Sequence, residues 1–280
     1  MGPDGRGRRA GAVRRVKTLL VTAVLVYAAF AAFAWFVSDR LIFHPPMPSY
    51  RAGRLPIVMV PTAGGSIATL YLPNPRATIT VLFAHGNAED LGHDVPWLEE
   101  LRRAGFAVLA FDYRGYGLST GGPPSAAGAT SDMEAVYHHA VNTLKIPPSR
   151  ILAYGRSVGS GPATDLAARV PVGGLVLESA FVSAFRVLTR VSLLPFDRFH
   201  NLRHIQRVRA PILVIHGTDD EVIPVSHGRR LYEAAGQPKQ ALWIEGAHHN
   251  DVALVAGPRY WATLAAFGRQ VAAAGATTTP

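Results

Sequence analysis

The chain has 280 residues, 49% of them hydrophobic, enough for one membrane segment and one folded domain of about 230 to 240 residues around a single core. Its formal net charge is +9, but Arg6, Arg8, Arg9, Arg14, Arg15 and Lys17 against Asp4 put +5 of that in residues 1–17. The remainder has no basic stripe of the kind nucleic-acid binding needs, whereas a basic tail beside an apolar run suits an anionic membrane surface. The absence of cysteine excludes a disulfide framework, a thiolate nucleophile and a cysteine metal site.

From Thr18 to Val37, 20 consecutive residues carry no charge. At about 1.5 Å per helical residue they reach roughly 30 Å, the thickness of a bilayer's hydrocarbon core. The run predicts a transmembrane helix over 18–37 behind a basic cytoplasmic tail over 1–17. Arg14, Arg15 and Lys17 precede it while Asp39 and Arg40 follow, so the positive-inside rule sets the N-terminus in the cytoplasm and the domain on the periplasmic or extracellular side. A cleaved signal peptide is the competing reading, since Ala32-Phe33-Ala34 resembles a small-x-small cleavage site. The run continues through Trp35, Phe36 and Val37 without a polar break, which favours the anchor.

Leu41-Ile42-Phe43-His44-Pro45-Pro46 reads as a proline-stiffened exit into a domain over 40–273. Short apolar runs then alternate with amphipathic segments, the signature of strands joined by helices in a mostly parallel sheet. Ile57 to Val60 and Ile67 to Leu72 form a predicted hairpin. Ile79 to Ala84, Ala107 to Phe111, Ile151 to Tyr154, Gly174 to Glu178, Ile212 to Ile215 and Ala241 to Ile244 complete eight strands. Helices are predicted at Val95 to Ala104, Ser131 to Leu144, Ser160 to Val170, Ser226 to Ala235 and Pro258 to Ala273, several opened by Ser, Thr, Asp or Pro, with a disordered tail over 274–280.

The strand Ile151 to Tyr154 runs into Gly155-Arg156-Ser157-Val158-Gly159 and then into a helical stretch, the strand-turn-helix setting in which G-x-S-x-G acts as a nucleophile elbow. The glycines belong there because the sharp turn leaves no room for side chains, and the helix that follows aims its N-terminal amides at a developing oxyanion. A nucleophile on this elbow needs an acid and then a histidine later in the chain. His216-Gly217-Thr218-Asp219-Asp220 follows the strand Ile212 to Ile215, and Gly246-Ala247-His248-His249-Asn250-Asp251 follows the strand Ala241 to Ile244. Each loop offers two candidates, Asp219 or Asp220 and His248 or His249, and spacing alone does not choose. The loop Ala84-His85-Gly86-Asn87 stands where the fold holds its second oxyanion donor, assigned to the Asn87 backbone N–H beside that of Val158. His85 precedes the acid in the chain, against the required order, and is read as a bracing residue. Asp112-Tyr113-Arg114-Gly115-Tyr116-Gly117 is read as a wall of the site.

With these motifs in this order, residues of about 40 to 270 resemble the abhydrolase-domain branch of the α/β-hydrolase superfamily, the group that includes protein depalmitoylases, lysophospholipid lipases and bacterial single-span relatives. The resemblance implies an α/β-hydrolase fold with an eight-stranded, mostly parallel sheet. Its pattern H-G-x-x-D-x-x-x-P makes Asp220 the acid, four after His216 and four before Pro224, and G-x-x-H-N-D makes His249 the base. His248 stands where the relatives usually have glycine. The depalmitoylases it resembles carry an N-terminal cysteine cluster for lipid attachment, which this chain lacks.

The expected chemistry is acyl transfer without cofactor or metal: His249 deprotonates Ser157, the alkoxide attacks an ester or thioester carbonyl, and water releases the acyl-enzyme. The other histidines, including His138, His139, His200 and His204, are scattered and predict no metal site. Between Glu178 and Ile212, Phe181, Phe185, Leu188, Leu193, Leu194, Phe196 and Phe199 accompany Arg186, Arg190, Arg198, Arg203, Arg207 and Arg209. This segment is read as an acyl-pocket border with arginines facing anionic headgroups. The alternatives are a peptidase or amidase on the same triad, or a non-catalytic membrane-tethered scaffold. Oligomeric state and natural substrate are not encoded in any of these motifs.

Overall fold

A computed structural model describes residues 4–189 and 191–277. The chain divides into two units at the boundary between Leu41 and Ile42. The described residues of the first unit lie within helix α1 (Asp4–Ile42). Its stretch Gly11–Ile42 is 32 residues long, and the most apolar 18-residue window within it has a mean hydropathy of 2.3 and is not buried against protein. That exposure distinguishes it from the core helix of a globular domain, whose apolar face is covered. The helix extends past both ends of the predicted 18–37 span and takes in the basic tail from Asp4 onward.

The second unit is built on β1 (Ile57–Thr62), β2 (Gly65–Leu72), β3 (Thr80–Ala84), β4 (Ala107–Phe111), β5 (Ile151–Arg156), β6 (Gly174–Glu178), β7 (Ile212–Gly217) and β8 (Lys239–Ile244). They form one sheet in the order β1-β2-β4-β3-β5-β6-β7-β8. β1 pairs antiparallel with β2, and β2 with β4, while every later pairing is parallel. β3, β4 and β6 are buried at all five positions. Their apolar runs fit a sheet covered on both faces, where an alternating pattern would leave one face wet.

Helices α2 (Leu91–Arg103), α3 (Ala126–Asn142), α4 (Ser160–Arg169), α5 (Ala184–Thr189), α6 (Asn201–His204), α7 (Ser226–Ala234), α8 (Val252–Ala256) and α9 (Pro258–Thr277) complete the domain. One core layer joins Leu82, Leu109 and Ala153 of the sheet to Met133 and Val136 of α3 and Leu166 of α4. The other joins Val81, Phe83 and Leu152 to Leu98 and Leu101 of α2 and Leu264 and Phe267 of α9. Alternate residues of each strand thus feed opposite layers.

All eight predicted strands are present, and the differences lie at element ends and in the short helices α5, α6 and α8, which no predicted helix covers. α2 starts at Leu91 instead of Val95 because the Asp90 carboxylate caps it, accepting from His93 N–H, and Pro96 is carried inside the helix. α3 starts at Ala126 instead of Ser131 because Ser125 accepts from Gly128 N–H. Such a cap satisfies amides that the helix itself leaves open. α9 runs to Thr277, so residues 274–277 of the expected disordered tail are helical, and 278–280 lie outside the described residues.

Candidate active site

Ser157 follows β5 directly and opens a single 3-10 turn, Ser157–Gly159, that leads into α4. Its φ is +51°, a left-handed value that costs a residue with a Cβ of order 1–2 kcal/mol. Crowding enforces the turn. A Cβ on Gly155 would stand 2.3 Å from the Gly159 carbonyl oxygen, and one on Gly159 would stand 2.1 Å from that of Ala84. Glycine is therefore required by close backbone approach as well as by the shape of the turn.

The loop after β8 brings His249 to the serine, with Nε2 3.0 Å from Ser157 Oγ. Nδ1 of the same ring lies 2.8 Å from Asp220 Oδ2, in the loop after β7. Since a carboxylate only accepts, Nδ1 carries the proton and Nε2 accepts from the serine hydroxyl. His249 and Asp220 are both buried. The neighbouring candidates point elsewhere: His248 is exposed against Glu221 at 3.1 Å, and the Asp219 carboxylate accepts from Thr218 Oγ1.

The loop after β3 closes the other side. A Cβ on Gly86 would lie 3.6 Å from Ser157 Cβ, so the chain passing from Gly86 to Asn87 borders the serine. Gly86 N–H is held by Glu89 Oε2 at 2.8 Å. The Asn87 side chain is bonded to Ile42, His44 and Tyr116. Val158 follows the serine in the 3-10 turn. His85 is buried, its Nδ1 bonded to Gly86 O and its ring packed on Tyr113 and Tyr116, the bracing role expected of it.

The same order of elements appears in known proteins. The family profile Hydrolase_4, described as serine aminopeptidase S33, matches residues 63–195 and 199–252. The chain belongs to this hydrolase family. Alpha/beta hydrolase domain-containing protein 17C of Xenopus tropicalis is 40% identical over 187 residues, covering 65% of this chain and 60% of the relative. Protein 17B of Homo sapiens is 39% identical over 196 residues, covering 68% of this chain and 67% of the relative. The chain thus spans about 60 to 67% of the length of these curated relatives. A Pyrococcus furiosus esterase of known structure superposes with a TM-score of 0.67 at 20% identity, covering 82% of this chain and 99% of the other, a likeness of fold.

Around the serine, this family member has supports that the motifs did not reveal. His216 Nε2 lies 3.2 Å from Asp220 Oδ2 and 2.8 Å from Ile223 O, while Asp220 Oδ1 accepts from Val222 and Ile223 N–H at 3.0 and 2.7 Å. Burial alone would raise the Asp220 pKa, but the bonds from His216, His249 and Ile223 outweigh it and hold the carboxyl far below the usual range. Ser179 Oγ donates to the backbone oxygen of His249 at 3.3 Å. Arg156 Nη2 bridges Glu89 and Asp94, at 2.6 Å to each, and its guanidinium stacks on Phe83 and Trp97. The pairing of a H-G-x-x-D histidine with its own aspartate was open to inspection, since four residues of loop can fold back. The reach of Arg156 to Glu89 and Asp94, more than 60 positions away, was not.

Among the described residues, His85, Glu89 and Asp94 hold potential metal-ligand atoms within 4.8 Å of one another. The Arg156 guanidinium already supplies the positive charge between the two carboxylates, so this cluster is an ion-pair network and is ill suited to a metal ion. In the segment after β6, α5 carries Phe185, Arg186 and Leu188, and the Asp197 carboxylate accepts from Ser183 Oγ and Phe185 N–H. Arg186, His200 and Arg203 line a cavity of about 370 Å³ with Val182, Leu194 and Phe196. Arg190 of the expected basic set lies outside the described residues.

Proposed function

We propose that this protein is a serine hydrolase of carboxylic esters or thioesters with acyl or lipid-like substrates. Ser157 would be its nucleophile, His249 its base, Asp220 its acid, and the Asn87 and Val158 backbone N–H groups its oxyanion donors. One observation carries the reading: the 3.0 and 2.8 Å contacts that link Ser157, His249 and Asp220 end on a serine with a left-handed backbone. In the proposed cycle His249 Nε2 takes the Ser157 proton as Oγ bonds to the acyl carbon, and the oxyanion is met by the two N–H groups. His249 then returns the proton to the leaving alkoxide or thiolate, and a water activated by the same ring releases the acid. Asp220 stays ionised throughout and stabilises the imidazolium.

Substrate class is argued from the segment after β6, where Arg186 and Arg203 line a cavity with Val182, Leu194 and Phe196, a pairing of apolar and cationic groups suited to an acyl chain with an anionic head. We read α1 as a single transmembrane anchor with the N-terminus cytoplasmic and the domain across the membrane, supported by its length, its hydropathy and the Arg14, Arg15 and Lys17 cluster. A mature protein that keeps residues 1–37 supports the anchor, and one that starts near Trp35 makes the segment a cleaved signal.

The test is a panel of esters from acetyl to long-chain acyl, matching thioesters, and aminoacyl amides, run on wild type and Ser157→Ala. Ester or thioester turnover that rises with chain length and disappears in the variant supports the proposal. Turnover of the amides alone would make the enzyme a peptidase, the activity named in the family description. No turnover and no reaction with a fluorophosphonate would leave a tethered scaffold.

A further inference from the structure

We infer that Ile42–His44, where the polypeptide leaves α1, is a positioning element of the active site, which holds the oxyanion loop through the Asn87 side chain; this rests on the oxyanion role proposed for Asn87. Asn87 Nδ2 donates to Ile42 O at 2.7 Å and lies 3.0 Å from His44 Nδ1. Asn87 Oδ1 accepts from His44 N–H at 2.9 Å, Tyr116 Oη–H at 2.8 Å and Ala88 N–H at 3.0 Å. The assignment is self-consistent: the donors facing Oδ1 fix which end of the amide is oxygen, so Nδ2 faces His44, whose Nδ1 accepts.

Between these two contacts, Phe43 is buried, with its ring edge-on to Tyr113, Tyr116 and Phe199 at centroid distances of 6.2, 6.4 and 6.1 Å. Tyr113 Oη donates to His85 O at 2.8 Å. The loop His85–Ala88 is thus gripped on one side by the chain leaving α1 and two tyrosines, and on the other by the Glu89 carboxylate on Gly86 N–H. The grip has something to hold, since Ala88 has a φ of +56°, which a residue with a Cβ adopts only when its surroundings impose it. Its N–H is bonded to Asn87 Oδ1, the same atom that His44 and Tyr116 fix. Without those bonds the Asn87–Ala88 peptide is free to turn toward a commoner conformation, which moves the adjoining Asn87 N–H. An oxyanion donor acts on charge that exists only in the transition state, so its displacement lowers kcat and leaves KM nearly unchanged.

The test uses the full-length protein with Asn87→Ala, His44→Pro and the double variant. Asn87→Ala keeps the backbone N–H and removes its holder, and His44→Pro removes both the N–H and the ring that bind that holder. Deleting an oxyanion donor costs about 10² to 10³ in rate, so a displaced one is expected to cost about tenfold in kcat with KM within about twofold. The affinity of a trifluoromethyl ketone, whose adduct places an oxyanion on the same donors, should weaken by the same factor. Because both substitutions break one linkage, the double variant should lose about tenfold and not a hundredfold. Tyr116→Phe, which removes one bond of about 1 kcal/mol, should lose up to about fivefold and serves where His44→Pro lowers expression. Losses confined to melting temperature, with kcat and ketone affinity of the folded variants unchanged, overturn the inference, as do fully multiplicative losses. A wild type inert to both ester and ketone overturns the hydrolase reading and this inference with it, whereas an active wild type with indifferent variants sinks the inference alone.

Discussion

The elbow at Ser157 and the loop at Asn87 both hold non-glycine residues at positive φ, +51° at Ser157 and +56° at Ala88, but by different means. At the elbow the backbone is held by other backbone: Gly155, Gly159 and Ala84 pack so closely that no Cβ fits between them. At Asn87 the backbone is held through the residue's own side chain, which bonds to groups 29 to 45 positions away. Crowding of that kind leaves a local glycine pattern, whereas distant side-chain bonds leave none. The elbow should accordingly fail abruptly when altered and the loop by degrees.

The largest expected effect removes the group the elbow presents. Ser157→Ala should lower kcat/KM by about 10⁴-fold or more in steady-state ester hydrolysis with little change in melting temperature. Asp220→Asn comes next, at roughly 10³- to 10⁴-fold in kcat, because an amide cannot hold the His249 ring with its proton on Nδ1. Its stability should shift as well. The Asp220 carboxyl is held below its usual range, so it contributes stability that is present above the unfolded carboxylate value of about 3.9 and lost as pH falls below it. Acid unfolding of Asp220→Asn should therefore be shallower in that range, a curve that circular dichroism can follow.

Gly159→Ala tests the crowding directly. A methyl 2.1 Å from Ala84 O forces the elbow apart, and about 3 kcal/mol of destabilisation is expected, read by denaturant midpoint. An unchanged midpoint would mean that the turn is not held by close packing. The smallest effect concerns His227, which accepts from Val182 N–H at 3.2 Å and is pushed down to about 4, first by burial and then by the nearby cations. The unfolded chain takes up this proton near 6.5 and the folded one near 4, so stability is full above about 6.5 and declines as pH falls toward 4. His227→Gln keeps an acceptor for Val182 and should flatten the melting temperature between those values.

Much of this was legible in the residues themselves. Periodicity gave the eight strands, and G-x-S-x-G in its strand-turn-helix setting pointed to Ser157. Asp220 and His249, chosen over Asp219 and His248 through the family pattern, are the pair that the structure brings to the serine. The apolar pattern places the starts of α2 and α3 too late because Asp90 and Ser125 cap from outside it. The supports from Ser179 and Arg156 and the Ile42–His44 grip leave no mark in the sequence because each works through a contact that exists only once distant segments meet.

The central claim is that Ser157 is the nucleophile, and the most direct measurement is peptide mapping by mass spectrometry of the full-length protein after reaction with a fluorophosphonate. One adduct on Ser157, absent from Ser157→Ala along with hydrolysis, is the predicted result. An adduct on a different residue, or ester hydrolysis that persists at wild-type rate in Ser157→Ala, would contradict it.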